Sequence, residues 1–269
     1  PGTIDGNDRP YHLVQTEHSR DIILEDVLLR NCTSWAVHLL LVEKAVCRNL
    51  CILSGKDGID PDCAKDVLIE KCLILSKDDS IAVKTRKPPA TTERVAVRNC
   101  IVASDASALK VGTETRALIR DILFENCDVF DSDRGIALYA RDGGLVENLT
   151  WRNNRMRLVH WPHERGGRPF DLQITERDGV TPVRNLRIEN IDTNAIVPSV
   201  LAGISGAHLD DATFNRVVLH VEPTREDDVE KKPFLFDVRE HVDVALDGLK
   251  VDWNGHRADW AGIRTNVRE

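Results

Sequence analysis

Five aspartates stand in two short segments, Asp57-Gly58-Ile59-Asp60-Pro61-Asp62 and Asp78-Asp79-Ser80-Ile81-Ala82. From Asp57 to Asp78 is 21 residues. Carboxyl groups gathered this closely depress one another's ionisation, so one can stay protonated while another remains a base. That pairing is what hydrolysis of a glycosidic bond needs: one acid to protonate the leaving oxygen, another carboxylate to activate water. A solvated acidic patch or a cation site is the plainer alternative.

The elements that must position these residues are visible as a repeat. A phrase of alternating apolar residues, closed by two polar ones, recurs as Asp21-Ile22-Ile23-Leu24-Glu25-Asp26-Val27 and Asp66-Val67-Leu68-Ile69-Glu70-Lys71-Cys72. Later copies include Arg94-Val95-Ala96-Val97-Arg98-Asn99-Cys100 and Asp121-Ile122-Leu123-Phe124-Glu125-Asn126-Cys127. The first apolar residues fall at Ile22, Ala45, Val67, Val95, Ile122, Leu149, Leu186, Ala212 and Val244, at intervals of 22 to 37 residues. Alternation with period two predicts strands with one buried face. Short strands, a minimum repeat of 22 residues and insertions of variable length predict an all-β fold, a single-stranded parallel β-helix of nine or more coils. Coils stacked at a strand spacing would make a rod on the order of 40 Å long. A propeller needs about 40–45 residues per blade, and a sandwich would show hairpin turns instead of one phrase. Because the repeat runs from about residue 20 to 250, residues 1–269 read as one β-helix domain. The recurring Asn and Cys residues are expected as internal ladders.

A second strand follows each phrase, and Val37, Ile59, Ile81, Leu109 and Ile136 align as its inward residues. Two residues earlier stand Trp35, Asp57, Asp79, Ser107 and Arg134. One residue later stand His38, Asp60, Ala82, Lys110 and Ala137, and three later Leu40, Asp62, Lys84, Gly112 and Tyr139. Side chains two apart share a face, so these columns should form one outward wall with the carboxylates at its centre.

Composition excludes several function classes. A net charge of −8 with no basic block argues against nucleic acid or an anionic membrane as partner. The longest apolar run, Ala36 to Val42, is interrupted at His38 and is far shorter than the ~20 residues that span a bilayer. No signal segment opens the chain at Pro1. The 7 cysteines lack paired Cys-x-x-Cys spacing, so no zinc site is expected; Cys32, Cys72, Cys100 and Cys127 read as small buried hydrophobes. Unpaired thiols favour a reducing compartment. No metal or cofactor is expected, and oligomeric state is not legible.

Over residues 2–140 the chain resembles glycoside hydrolase family 28, the polygalacturonase family of right-handed parallel β-helices (the pectin-lyase-like solenoid). Gly2-Thr3-Ile4-Asp5-Gly6, Arg9-Pro10 and Ser34-Trp35-Ala36-Val37-His38 are similar to segments of that family. Lys56-Asp57-Gly58-Ile59-Asp60 resembles its Asn-Thr-Asp-Gly-x-Asp motif, and Asp78-Asp79-Ser80-Ile81-Ala82 its Asp-Asp-x-Ile-Ala motif. The resemblance implies that Asp78 is the general acid, that Asp57 and Asp79 hold and deprotonate water, and that the anomeric carbon inverts. It also implies an exported protein, against the thiol reading, and an N-terminal cap not visible before Pro1, so the chain is expected to lack a leading segment. Three departures stand out. Gly55 and Lys56 replace Asn and Thr, Ala106-Ser107-Ala108 replaces Gly-His-Gly, and Ala137-Leu138-Tyr139 replaces the Arg-Ile-Lys that grips a galacturonate carboxylate. Ala108-Leu109-Lys110-Val111-Gly112-Thr113-Glu114 instead resembles a divergent bacterial branch. Lys110 or Arg134 could replace the lost cation, with ordinary surface charge as the alternative for both.

The longest interval contains His160, Trp161, His163, Arg165 and Arg168. Trp161 could stack on a sugar, and Arg165 or Arg168 could pair with an acidic substituent; the two histidines lack the rest of a metal-ligand set. Expected substrate contacts are therefore His38, Asp60, Lys84, Lys110, Arg134, Tyr139, Trp161, Arg165 and Arg168, around catalytic Asp57, Asp78 and Asp79. The substrate would be a polysaccharide or oligosaccharide. Two rivals stand beside a hydrolase: a polysaccharide lyase or uronate epimerase, which needs a basic residue to abstract a proton, and a non-catalytic carbohydrate-binding or structural β-helix. Asn148-Leu149-Thr150 matches a glycosylation sequon but lies within a repeat strand.

Overall fold

A computed structural model describes residues 2–159, 166–223 and 232–265. Among these residues 25 strands join into one continuous sheet in which every strand pairing is parallel, with a single short 3₁₀ turn at Arg257–Asp259. The ladder is a parallel β-helix. All nine repeat anchors stack in register: Ile22 on Ala45, Ala45 on Val67, and so on through Leu186, Ala212 and Val244. The second column holds as well, with Val37, Ile59, Ile81, Leu109, Ile136 and Phe170 in successive coils. Both columns point inward and are buried, except at Ile22 and Val244 near the ends of the first column, which are partly buried. The core they form is filled along the rod by aliphatic residues, by the stacked Phe124–Trp151 pair and, further on, by Phe170, Phe214 and Phe236.

Each coil has a third face that the alternation did not disclose. Val27–Cys32, Cys51–Ser54, Leu73–Ser76, Ile101–Ser104, Asp128–Ser132 and Arg155–Leu158 pair in sequence to form it. Most of these strands are only four or five residues long, with one or two inward apolar side chains such as Ile52, Ile74 and Val102. That is too short a run to show a period.

Asn placement also differs from expectation. Asn49, Asn99, Asn126, Asn153 and Asn190 sit at the corner that ends each phrase, with φ between 52° and 57°. Asn tolerates this left-handed conformation because its short polar side chain can bond locally. These residues are exposed, and the ladder they make (Asn126 Nδ2 to Asn99 Oδ1, 2.5 Å; Asn190 Nδ2 to Asn153 Oδ1, 2.8 Å) runs along the outside of the rod. The residue after the corner turns inward. There Cys72, Cys100 and Cys127 are buried, and Asn154, whose side chain bonds Cys127 N and Phe124 O, continues the column. Cys32 lies at a different corner, in register with Ser54. All 7 cysteines are free.

Candidate active site

The second corner is lined by serines, and these fix the two aspartate turns. Ser54, Ser76 and Ser104 stack in register. Ser54 Oγ donates to the Asp57 carbonyl (2.8 Å), while Ser76 Oγ (2.8 Å) and Ser104 Oγ (2.7 Å) both donate to the Asp78 carbonyl. Adjacent turns are tied by main-chain bonds, Ala36 N to Asp57 O, Gly58 N to Asp79 O and Ser80 N to Ser107 O, each 2.9 Å. Gly58 permits this stacking, because a Cβ there would lie 2.4 Å from the Ser80 carbonyl oxygen. Gly112 does the same further along, with φ +91° and the Tyr139 carbonyl oxygen 2.1 Å from where a Cβ would be.

On this frame Asp57, Asp78 and Asp79 converge, with one carboxylate oxygen of each within 4.8 Å of the other two. Asp57 and Asp79 are buried and Asp78 is half-buried, so Asp78 is the member that faces solvent. Cations sit on the two buried members. Lys84 Nζ lies 2.7 Å from Asp57 Oδ2, and Lys110 Nζ bonds Asp79 Oδ2, whose other oxygen accepts the Ser107 N–H at 3.2 Å. Burial raises the Asp78 carboxyl above its ordinary range, helped by the charges of Asp79 and Asp57 and opposed by Lys110 and Lys56. Three oxygens this close could in geometry share a cation, but Lys84 and Lys110 already supply positive charge to two of the three carboxylates.

On the side of the preceding coils, Asp62 accepts from His38 Nε2 (3.1 Å), from Arg86 Nε (2.5 Å) and from the Arg86 backbone N–H (2.9 Å). Burial alone would raise Asp62, yet these bonds hold it at about 2. Trp35 lies between His12, stacked at 5.1 Å, and the Lys84 ammonium, 3.8 Å from the ring centroid. Burial, together with the neighbouring His38, lowers the His12 pKa. On the other side, Arg134 follows Ser107 in the same column, bonding its Oγ (3.2 Å) and pairing with Asp133, and Arg168 follows Arg134. Asp171 gathers Tyr139 Oη (2.6 Å), Arg168 Nη1 (3.3 Å) and Gln173 Nε2 (2.5 Å).

The wall therefore contains the expected columns, but its charges are arranged differently. His38 and Asp60 are 1% and 0% exposed, and Lys84 is 3% exposed. Of these three expected substrate contacts, His38 bonds Asp62 through Nε2, and the Lys84 ammonium lies between Asp57 and Asp60. Lys110, 7% exposed, is likewise held on Asp79. Like charges do not face one another unrelieved, since Asp62 pairs in register with Lys84 and each buried catalytic candidate has a lysine. Arg134, Tyr139 and Arg168 remain partly exposed along this wall. Trp161 and Arg165, with His160 and His163, lie outside the described residues. Arg86 was overlooked although it is two residues beyond Lys84. Asp171 was overlooked because the long insertion hides its register with Ala137.

Known proteins agree with this architecture. A solved exopolygalacturonase from Thermotoga maritima superimposes with a TM-score of 0.74 at 21% identity, over 89% of this chain and 54% of that one. A polygalacturonase from Erwinia carotovora ssp. carotovora superimposes with a TM-score of 0.62 at 16% identity, over 90% of this chain and 60% of that one. A probable polygalacturonase of Vitis vinifera is 29% identical over 167 residues, 57% of this chain but 34% of the plant protein. The chain thus spans about a third of the length of that curated relative and little more than half of the solved ones. The sequence pattern of glycosyl hydrolases family 28 matches residues 3–195, a stretch that holds the aspartate turns, their lysines and the arginine column, and the chain belongs to that family.

Proposed function

We propose that the protein hydrolyses O-glycosidic bonds of a pectin-like, uronate-containing polysaccharide or oligosaccharide. The observation that carries this reading is the half-buried Asp78, with its raised pKa, beside two buried, lysine-paired carboxylates. Asp78 keeps its proton and gives it to the leaving glycosidic oxygen. Asp57 and Asp79 hold a water and take its proton as the oxygen adds to the anomeric carbon, so one water is consumed per bond cleaved. The polygalacturonase relatives support a uronate substrate, and so does the arginine column. Arg134 and Arg168 stand two and three coils beyond Asp79, roughly 10 and 14 Å along the rod, where carboxylates of a bound acidic chain would pass. They replace in kind the cation missing at Ala137.

Inversion is supported by family membership. A lyase is disfavoured because Lys84 and Lys110 are ion-paired and buried, not free bases.

The test is incubation with pectic and other acidic oligosaccharides, following new reducing ends and the ultraviolet absorbance of an unsaturated sugar. Reducing ends without absorbance are expected, with D78N lowering kcat by about 10²–10⁴-fold. Absorbance would indicate a lyase. Binding without product would leave a carbohydrate-binding solenoid.

A further inference from the structure

The hydrolase reading leaves a buried charge array without a role. Lys84 Nζ is 2.7 Å from Asp57 Oδ2 and also 2.7 Å from Asp60 Oδ1. Trp35 closes over the ammonium, its ring centroid 3.8 Å from Nζ. Asp60 is fully buried, and its Oδ2 has no hydrogen-bond partner. Sealing a carboxyl from water with one ionic contact is costly, so a purely structural role would be served better by an apolar residue of similar size. What the arrangement achieves is placement: one oxygen of Asp57 is fixed by a cation that cannot move.

We propose that Lys84 and Asp60 are positioning residues for Asp57. Asp60 anchors the ammonium, the ammonium fixes Oδ2 of Asp57, and Oδ1 is left to hold the attacking water. Neither residue touches substrate. The titratable groups that face Asp57 are Asp60, three residues on in the same coil, Lys84, Asp78 and Asp79 from the next coil, and His12 from the preceding coils. Of these, Lys84 is the cation in contact with Asp57. Burial keeps Asp60 well above the usual carboxylate range against the pull of Lys84. Burial pulls Lys84 down, yet Asp60 and Asp57 together raise it above its ordinary value.

The inference rests on the hydrolase reading for its kinetic arm, so a second arm does not use turnover. K84M and D60L should lower kcat about tenfold or more while KM changes by less than about twofold, since a displaced base impairs the chemical step alone. D60N should restore most of what D60L loses, because its amide oxygen can still accept from Lys84. A rise in KM with kcat intact would make these residues substrate contacts and overturn the proposal. A fall in melting temperature with full kcat below it would make them structural, with the same consequence. Should D60L not fold, D60N and K84M carry the comparison. Independently, a crystal structure of K84M should show the Asp57 carboxylate turned away from the place it holds in the unsubstituted protein. An unchanged carboxylate position overturns the coupling. A displaced carboxylate in a protein that cleaves nothing would sink the hydrolase reading and leave the coupling standing.

Discussion

At the scale of single residues, the site works by dividing carboxylates between those that are given cations and one that is not. Asp57 and Asp79 each receive a lysine, whereas Asp78 is raised chiefly by burial and then by its two acidic neighbours. The same accounting runs outward to Arg134, whose guanidinium is held by Asp133 and Ser107. Arg134→Ala should raise KM for a uronate oligosaccharide about tenfold or more with little change in kcat, as expected for a charged hydrogen bond made in both ground and transition states. Steady-state kinetics on matched acidic and neutral oligosaccharides measure it. Asp62 makes a different contribution, to stability. Its folded-state pKa of about 2 lies below the unfolded reference of 3.8. Its stabilisation is therefore fully present above pH 4 and is lost as pH falls through 2, with a magnitude of roughly 2 kcal/mol. Asp60 and Asp78, which are raised, act in the opposite sense, so the comparison to make is with D62N. Chemical denaturation at pH 5 and pH 2.5 should show a smaller acid loss in D62N than in the unsubstituted protein.

At the scale of elements, the aspartate turns are precise because the coils approach closely where they are tied. Gly58 is the clearest instance. Gly58→Ala would place a Cβ 2.4 Å from the Ser80 carbonyl oxygen and 2.5 Å from Ile74 Cγ2. Both neighbours belong to the next coil, so relief requires the Asp57 turn to move away from Asp79. The substitution should cost about 1–3 kcal/mol in denaturant unfolding and also lower kcat, whereas a change confined to stability would show that the turn can adjust. The aspartate turns could be read from the sequence because their motif and their one-coil spacing coincide. The serine corner could not. Ser54, Ser76 and Ser104 lie between the second and third faces of each coil, and the short strands of that third face carry too few apolar residues to reveal a register. Asn was legible as a recurrence but not as a location, since an exposed left-handed corner and an internal ladder leave the same mark in a sequence.

At the scale of the whole molecule, the repeat was legible almost completely: each of the nine anchors stacks on its neighbour. A solenoid makes that possible because each coil contacts only adjacent coils, so period and register are the same information. Charge pairing between coils was less accessible. Lys84 and Lys110 were expected at the wall, but that each would cover a carboxylate depends on side-chain reach across neighbouring strands, which alternation does not encode. The rod gives the site a direction, from Trp35 and Arg86 through the aspartates to Arg134 and Arg168, so an acidic chain could lie along it across several coils. In the proposed mechanism water, held by Asp57 and Asp79, attacks in a single displacement while Asp78 protonates the leaving oxygen. The most direct measurement is the anomeric configuration of the first product from an α-linked uronate oligosaccharide, followed by ¹H NMR before mutarotation. The β-anomer appearing first is the expected result. The α-anomer appearing first would show a covalent glycosyl intermediate and contradict the account.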